Sequence, residues 1–137
     1  MQIRRYSEMI QLPTFDERFE YLKLGGQVGR ATFGFERYLN QGFYTSSQWK
    51  QARNAVIVRD QGCDLGIPGR EIHVELLVHH MTPMIPDDII NGEEWILNPD
   101  FLITTTKSTH NAIHYGNSSL LLPKVVTERS AGDTKLW

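Results

Sequence analysis

The sequence predicts an α+β fold in which two short strands are set among amphipathic helices. Three observations carry this. Apolar residues recur at helical spacing over residues 14–24 and again over 46–60. Two further runs, 71–81 and 101–106, alternate in polarity or are rich in β-branched side chains. The second run leads at once into a short helix over 109–115, closed by Gly116.

Taking the elements in order, Thr14 and Glu17 form a capping box with Thr14 as N-cap. Phe15, Phe19 and Leu22 share one helix face beyond it, and Gly25 and Gly26 end the helix. Residues 29–44 are rich in glycine and aromatics (Phe33, Phe35, Tyr38, Phe43, Tyr44). The plain reading is packing, in the core or between copies of the chain in a homo-oligomer. The sharper reading is a stacking surface for nucleobases. Ser46 or Ser47 caps the next helix, whose faces are marked by Trp49, Arg53, Val56 and Ile57 and which Gly62 stops. Residues 63–69 are turn-rich. In the first strand Ile72, Val74, Leu76 and Val78 alternate with His73, Glu75, Leu77 and His79. Pro83 and Pro86 impose a loop that holds an acidic turn (Asp87, Asp88) and Trp95. The chain then reads as a single domain with an N-terminal accessory segment (1–45), a core (46–116) and a polar C-terminal tail (117–137).

Composition narrows the class. A chain of 137 residues with 40% hydrophobic and 22% charged content is expected to fold as one domain. No apolar run approaches the roughly 20 residues that span a bilayer, and the start lacks an apolar leader core, so no membrane association is expected. Cys63 is the lone cysteine, which excludes an internal disulfide and fits a reducing cytoplasm.

All five histidines fall between His73 and His114. His110 and His114, four residues apart, lie on one helix face and can reach one ion. The pair His79-His80 on the preceding strand can supply a third ligand and leave its neighbour free as a base. Three imidazole ligands with an open position describe a catalytic metal site rather than a closed structural one. His73, outside the two histidine clusters, reads as an ordinary core or surface residue.

Trp49-Lys50-Gln51-Ala52-Arg53, followed by Val58-Arg59-Asp60 and Cys63, resembles the entry to HNH endonucleases. So does the apolar run into His79-His80-Met81-Thr82-Pro83. Leu102-Ile103-Thr104-Thr105-Thr106 leading into His110-Asn111-Ala112-Ile113-His114 is similar to that family's second strand and metal-binding helix, with histidine spacing closest to the nuclease colicins. The resemblance covers residues 49–116. It implies a ββα-metal (HNH-type) core carrying a helical, aromatic-rich N-terminal extension. It further implies a metal-dependent hydrolase of phosphodiester bonds, an endonuclease acting on DNA, in a bacterial or bacteriophage-infected cytoplasm. His79, His110 and His114 would hold one divalent ion (Zn, Mn, Ni, Co or Mg), and His80 would activate the attacking water.

Two departures from that family stand out. Its strand asparagine, which positions the loop of the base, is replaced by Phe101, which leaves Asp100 or Asn98 as candidates for the task. Where many members carry two CxxC pairs, this chain has Cys63, Gly66, Thr106 and Thr109, so no structural zinc is expected and Cys63 reads as a small buried residue. Arg53, Arg59, Arg70 and Lys107 are the candidate phosphate contacts. Lys and Arg total 14 against 16 Asp and Glu, an unusual balance for a duplex binder. A phosphodiesterase degrading a small cyclic nucleotide signal, such as a phage counter-defence enzyme, is therefore the alternative. A non-catalytic nucleotide-binding or structural protein on the same scaffold is the second.

Overall fold

The computed structural model describes residues 3–24, 37–82 and 86–121. Among these residues six α-helices and two strands follow in the order α1 (Tyr6–Met9), α2 (Phe15–Leu22), α3 (Arg37–Tyr44), α4 (Ser47–Arg59), β1 (Leu76–His80), α5 (Pro86–Ile90), β2 (Leu102–Thr106) and α6 (Lys107–Tyr115). The architecture is α+β, as the sequence predicts. Among the described residues no helix is long and apolar enough to cross a membrane.

Local chemistry accounts for most boundaries. Thr14 caps α2 by accepting from the Glu17 amide, and its hydroxyl donates to the Glu17 carboxylate at 2.8 Å. The helix stops at Leu22, two residues short of expectation, because Lys23 turns to an extended conformation. The stop at Gly25 and Gly26 lies outside the described residues. Ser46, not Ser47, caps α4 by accepting from the Trp49 amide. The helices α1, α3 and α5 have no counterpart in the sequence reading; α5 replaces the expected acidic turn.

Both strands are shorter than their patterns suggest. Glu75 sits at φ +58°, a left-handed conformation that breaks the alternation, so residues 71–75 leave the strand and Val74 is 72% exposed. Phe101 belongs to a tight turn, Pro99–Phe101, capped by Asn98, which delays β2 to Leu102. The strands pair antiparallel from Leu76↔Thr106 to His80↔Leu102. Thr106 then caps α6 by accepting from the Thr109 amide, so that helix begins two residues earlier than expected.

The sheet divides the apolar interior. On one side Met81 and Ile103 pack with Met9, Phe15, Phe19, Leu22, Leu24 and Ile113. On the other Leu102 packs with Phe43, Trp49, Val56 and Ile96. Helices α1 and α2 therefore contribute Met9, Phe15, Phe19 and Leu22 to the first of these apolar clusters. The tail is described only to Leu121, which packs against the first cluster.

The outer edge of β2 is held by two buried carboxylates from the end of α4 and the turn after it. The Thr104 amide donates to Asp60 Oδ2 at 2.9 Å and the Thr106 amide to Asp64 Oδ1 at 3.3 Å. Asp64 Oδ2 also accepts from the Thr109 hydroxyl at 2.6 Å, which fastens the first turn of α6. Burial pushes the Asp64 carboxyl up, against the opposing pull of its hydrogen bonds from Thr109 and Thr106.

A candidate metal centre

Successive residues of a strand point to opposite faces, and this separates His79 from His80. His79 faces α6, where its ring lies 5.1 Å from those of both His110 and His114. His80 faces α4, stacked on Trp49 at 5.3 Å with an interplanar angle of 20°.

The three rings on the α6 side converge. His79, His110 and His114 each offer a ring nitrogen, and these atoms all lie within 4.8 Å of one another. His110 Nε2 and His114 Nε2 are 3.2 Å apart. Two nitrogens on a tetrahedral zinc-like ion, each about 2.0–2.1 Å from it, would stand roughly 3.3 Å apart. His79 Nε2 is buried and has no hydrogen-bond partner. A buried unpaired nitrogen costs free energy, so its presence beside two further imidazoles is the best evidence that the residues fit a cation. Their protonation states agree. Burial holds all three below the ordinary histidine range, reinforced for His79 by both neighbours and for His110 by His114. Neutral imidazoles are the ligand form.

His80 is only 7% exposed. Its Nε2 lies 2.8 Å from the Ile96 carbonyl oxygen. A carbonyl can only accept, so Nε2 carries the proton and Nδ1 keeps the lone pair. Phe43, Tyr44 and Trp95 complete an aromatic surround, with ring centroids 6.0, 6.4 and 6.3 Å away. Phe43 thus follows the packing reading of the aromatic stretch; Phe33 and Phe35, and the Tyr38 side chain, lie outside the described residues.

The other candidates have separate surroundings. Asn98 accepts from the Asp100 amide at 2.9 Å and shapes the loop that carries Ile96. Asp100 accepts from the Ser7 amide at 3.0 Å and ties the loop to α1. The Arg59 guanidinium bonds Asp60, Pro99 and Leu102, and the Arg70 guanidinium covers the Phe15 ring at 3.8 Å. Arg53 bonds Asn54 at 3.4 Å, and Lys107 stands 4.0 Å from Glu75 with both side chains exposed. Arg59, offered as a phosphate contact, is held by three groups of the protein itself. His73 is exposed, and Cys63 is buried with its thiol pushed up mainly by burial. Sequence reasoning missed Asp60, Asp64 and Trp49 as supports of the site. The Arg59-Asp60 pair at a helix end was the available signal, but its partners lie about forty residues away.

The depressed histidines make an acid-sensitive fold. Burial pushes His80 and His110 down to about 4. In the unfolded chain they titrate near 6.5, so between these values the unfolded state binds protons that the folded state does not. Stability of the metal-free protein is therefore full above about pH 6.5 and falls as pH drops toward 4. For His80 alone the loss amounts to about 3 kcal/mol. Asp64, shifted the other way, offsets a part at the acid end. Urea denaturation between pH 7.5 and 4.5, in chelator, will show a falling midpoint; a flat profile would contradict the burial of these rings.

Comparison with protein-family models, with curated proteins and with solved structures returns no match to this chain.

Proposed function

We propose that the chain is a metal-dependent phosphodiesterase of HNH type that cleaves DNA. The observation that carries this reading is the convergence of three neutral imidazoles, one with an orphaned buried nitrogen, where α6 meets the end of β1. The order of strand, histidine pair, strand and two-histidine helix supports it through the resemblance to HNH endonucleases.

His79, His110 and His114 would hold a divalent ion, and an all-imidazole set favours Zn, Ni, Co or Mn over Mg. Such an ion supplies Lewis acidity toward a scissile phosphate. His80 is the proposed base. The Ile96 carbonyl fixes its tautomer, so a proton from water would be taken at Nδ1, and the same bond stabilises the imidazolium that results. Trp49 holds the ring plane.

Two further readings have an observation each. Arg59 and Arg70 are engaged by the protein itself, which favours a substrate with few phosphates, such as a cyclic dinucleotide, over a long duplex. The burial of His80 beneath Trp49 favours a scaffold that binds without cleaving.

A metal-supplemented assay on plasmid DNA, single-stranded nucleic acid and cyclic dinucleotides separates the three. His80→Ala is expected to abolish turnover and retain the metal, whereas His110→Ala loses both. Undiminished cleavage by purified His80→Ala protein would remove His80 from the mechanism. Silence of the wild type across the panel would leave the binding scaffold.

A further inference from the structure

We propose that Arg59 is the positioning residue for the loop that holds His80; the inference rests on His80 being the base of the site. Ile96 can meet His80 Nε2 at 2.8 Å only if the segment from Glu94 to Phe101 is fixed relative to β1. Its own turns give it shape: the Asn98 amide donates to the Trp95 carbonyl and the Phe101 amide to the Asn98 carbonyl. These bonds are internal to the loop and would travel with it if it moved.

Arg59 supplies an anchor from outside the loop. Its Nη1 donates to the Pro99 carbonyl and its Nη2 to the Leu102 carbonyl, both at 2.7 Å. The two oxygens flank Phe101, the position at which the resemblance leads one to expect a loop-positioning asparagine. The guanidinium is in turn oriented by a carboxylate at its edge and a ring at its face. Nε and Nη2 donate to the two oxygens of Asp60 at 2.9 and 3.2 Å. Asp60 is itself buried and bonded by the Thr104 amide at 2.9 Å, and the Tyr6 ring lies 3.6 Å below the guanidinium carbon. A planar fork meets two carbonyls and a carboxylate together, which a lysine ammonium on a single flexible stem cannot reproduce. Asp100, bonded to Ser7 and 4.0 Å from Arg5, tethers the opposite side of the same loop to α1. The Phe101 carbonyl also accepts from the Met81 amide at 2.8 Å, just past β1. Among the described residues, Arg59 is the side chain whose bonds reach the chain on both sides of that point.

The test is Arg59→Lys, which keeps the charge and removes the fork. The primary readout is the His80 Nε2–H proton by ¹⁵N-edited NMR, a signal that depends on the Ile96 carbonyl and not on catalysis. In wild-type protein it is expected to exchange slowly with water. In Arg59→Lys it is expected to broaden or vanish, with Co²⁺ affinity at the three-histidine cluster unchanged. Turnover is expected to fall about 10- to 100-fold with KM little altered, the size of effect common when an outer partner of a site is lost. Should Arg59→Lys fail to fold, Asp60→Asn keeps the guanidinium and loosens its orientation, and a partial loss of the same proton signal is expected. A protected His80 proton and intact turnover in Arg59→Lys would overturn the proposal. So would an unchanged proton signal together with a weaker, less salt-dependent affinity for nucleic acid, which would restore Arg59 as a phosphate contact. If the wild type cleaves nothing yet Arg59→Lys loses the proton signal, the hydrolase reading fails and the positioning role stands.

Discussion

Replacing His79 by leucine is expected to abolish metal binding and, in the same step, to stabilise the metal-free protein. The two effects have one cause. His79 Nε2 is buried without a hydrogen-bond partner, on a strand position paired with the apolar Ile103. Without an ion that nitrogen has lost its water and gained nothing, a cost of about 1–3 kcal/mol. Leucine fills a similar volume with apolar atoms, so the penalty disappears. Urea denaturation in chelator should give a higher midpoint for His79→Leu than for the wild type, with the gap widening below pH 6.5 as the unfolded wild type takes up a proton. With saturating Zn²⁺ the order should reverse, since only the wild type gains from binding. A His79→Leu protein that binds one ion with wild-type affinity would rule out the proposed centre. One destabilised in chelator would mean that His79 has a structural partner.

Gly116→Ala should cause the largest loss of stability of any single methyl addition near the site. Gly116 closes α6 at φ +62° and ψ 31°, a left-handed conformation. A residue with a Cβ pays about 1–2 kcal/mol there. A second obstacle is close contact: a Cβ on Gly116 would stand 2.3 Å from the Leu24 carbonyl oxygen. That oxygen belongs to backbone fixed by the Leu24 amide, which donates to the Ile113 carbonyl at 2.8 Å. Relief requires moving either the end of α6 or the segment after α2. The sum is expected to reach about 3 kcal/mol or more. Equilibrium denaturation measures it, and a metal titration should show weakened affinity, because His114 lies two residues before the displaced glycine. A loss under 1 kcal/mol would mean that the α2–α6 contact yields easily.

Both predictions concern residues whose importance differs in legibility. The three-histidine cluster could be read from sequence because its signals are local. An i,i+4 spacing places His110 and His114 together, and strand alternation presents one of His79 and His80 to them. The caps of α2 and α4 were legible for the same reason, since a cap lies three residues from its partner. The truncation of β1 was not. Ile72, Val74, Leu76 and Val78 alternate without interruption, and nothing in that pattern reveals that Glu75 adopts a left-handed φ. The limit comes from β2, which offers only five partners. Arg59 and Asp60 look like a solvated helix end in the sequence, yet their bonds reach residues 99 to 104. Trp49 gave a clear helix-face signal, but that its ring would stack on His80 depends on how two elements pack. Periodicity assigns a face; it does not say what lies across it.

The carboxylates along β2 have a consequence for self-association. A two-stranded sheet ordinarily leaves edge amides open to a strand from another molecule, the first step toward β-mediated aggregation. Here the Thr104 and Thr106 amides are already taken by Asp60 and Asp64. An intruding strand would have to displace two buried acids from their amide donors. Along that edge the sheet is sealed against growth, and Asp64, which fastens the first turn of α6, also helps keep neighbouring molecules from zipping onto it.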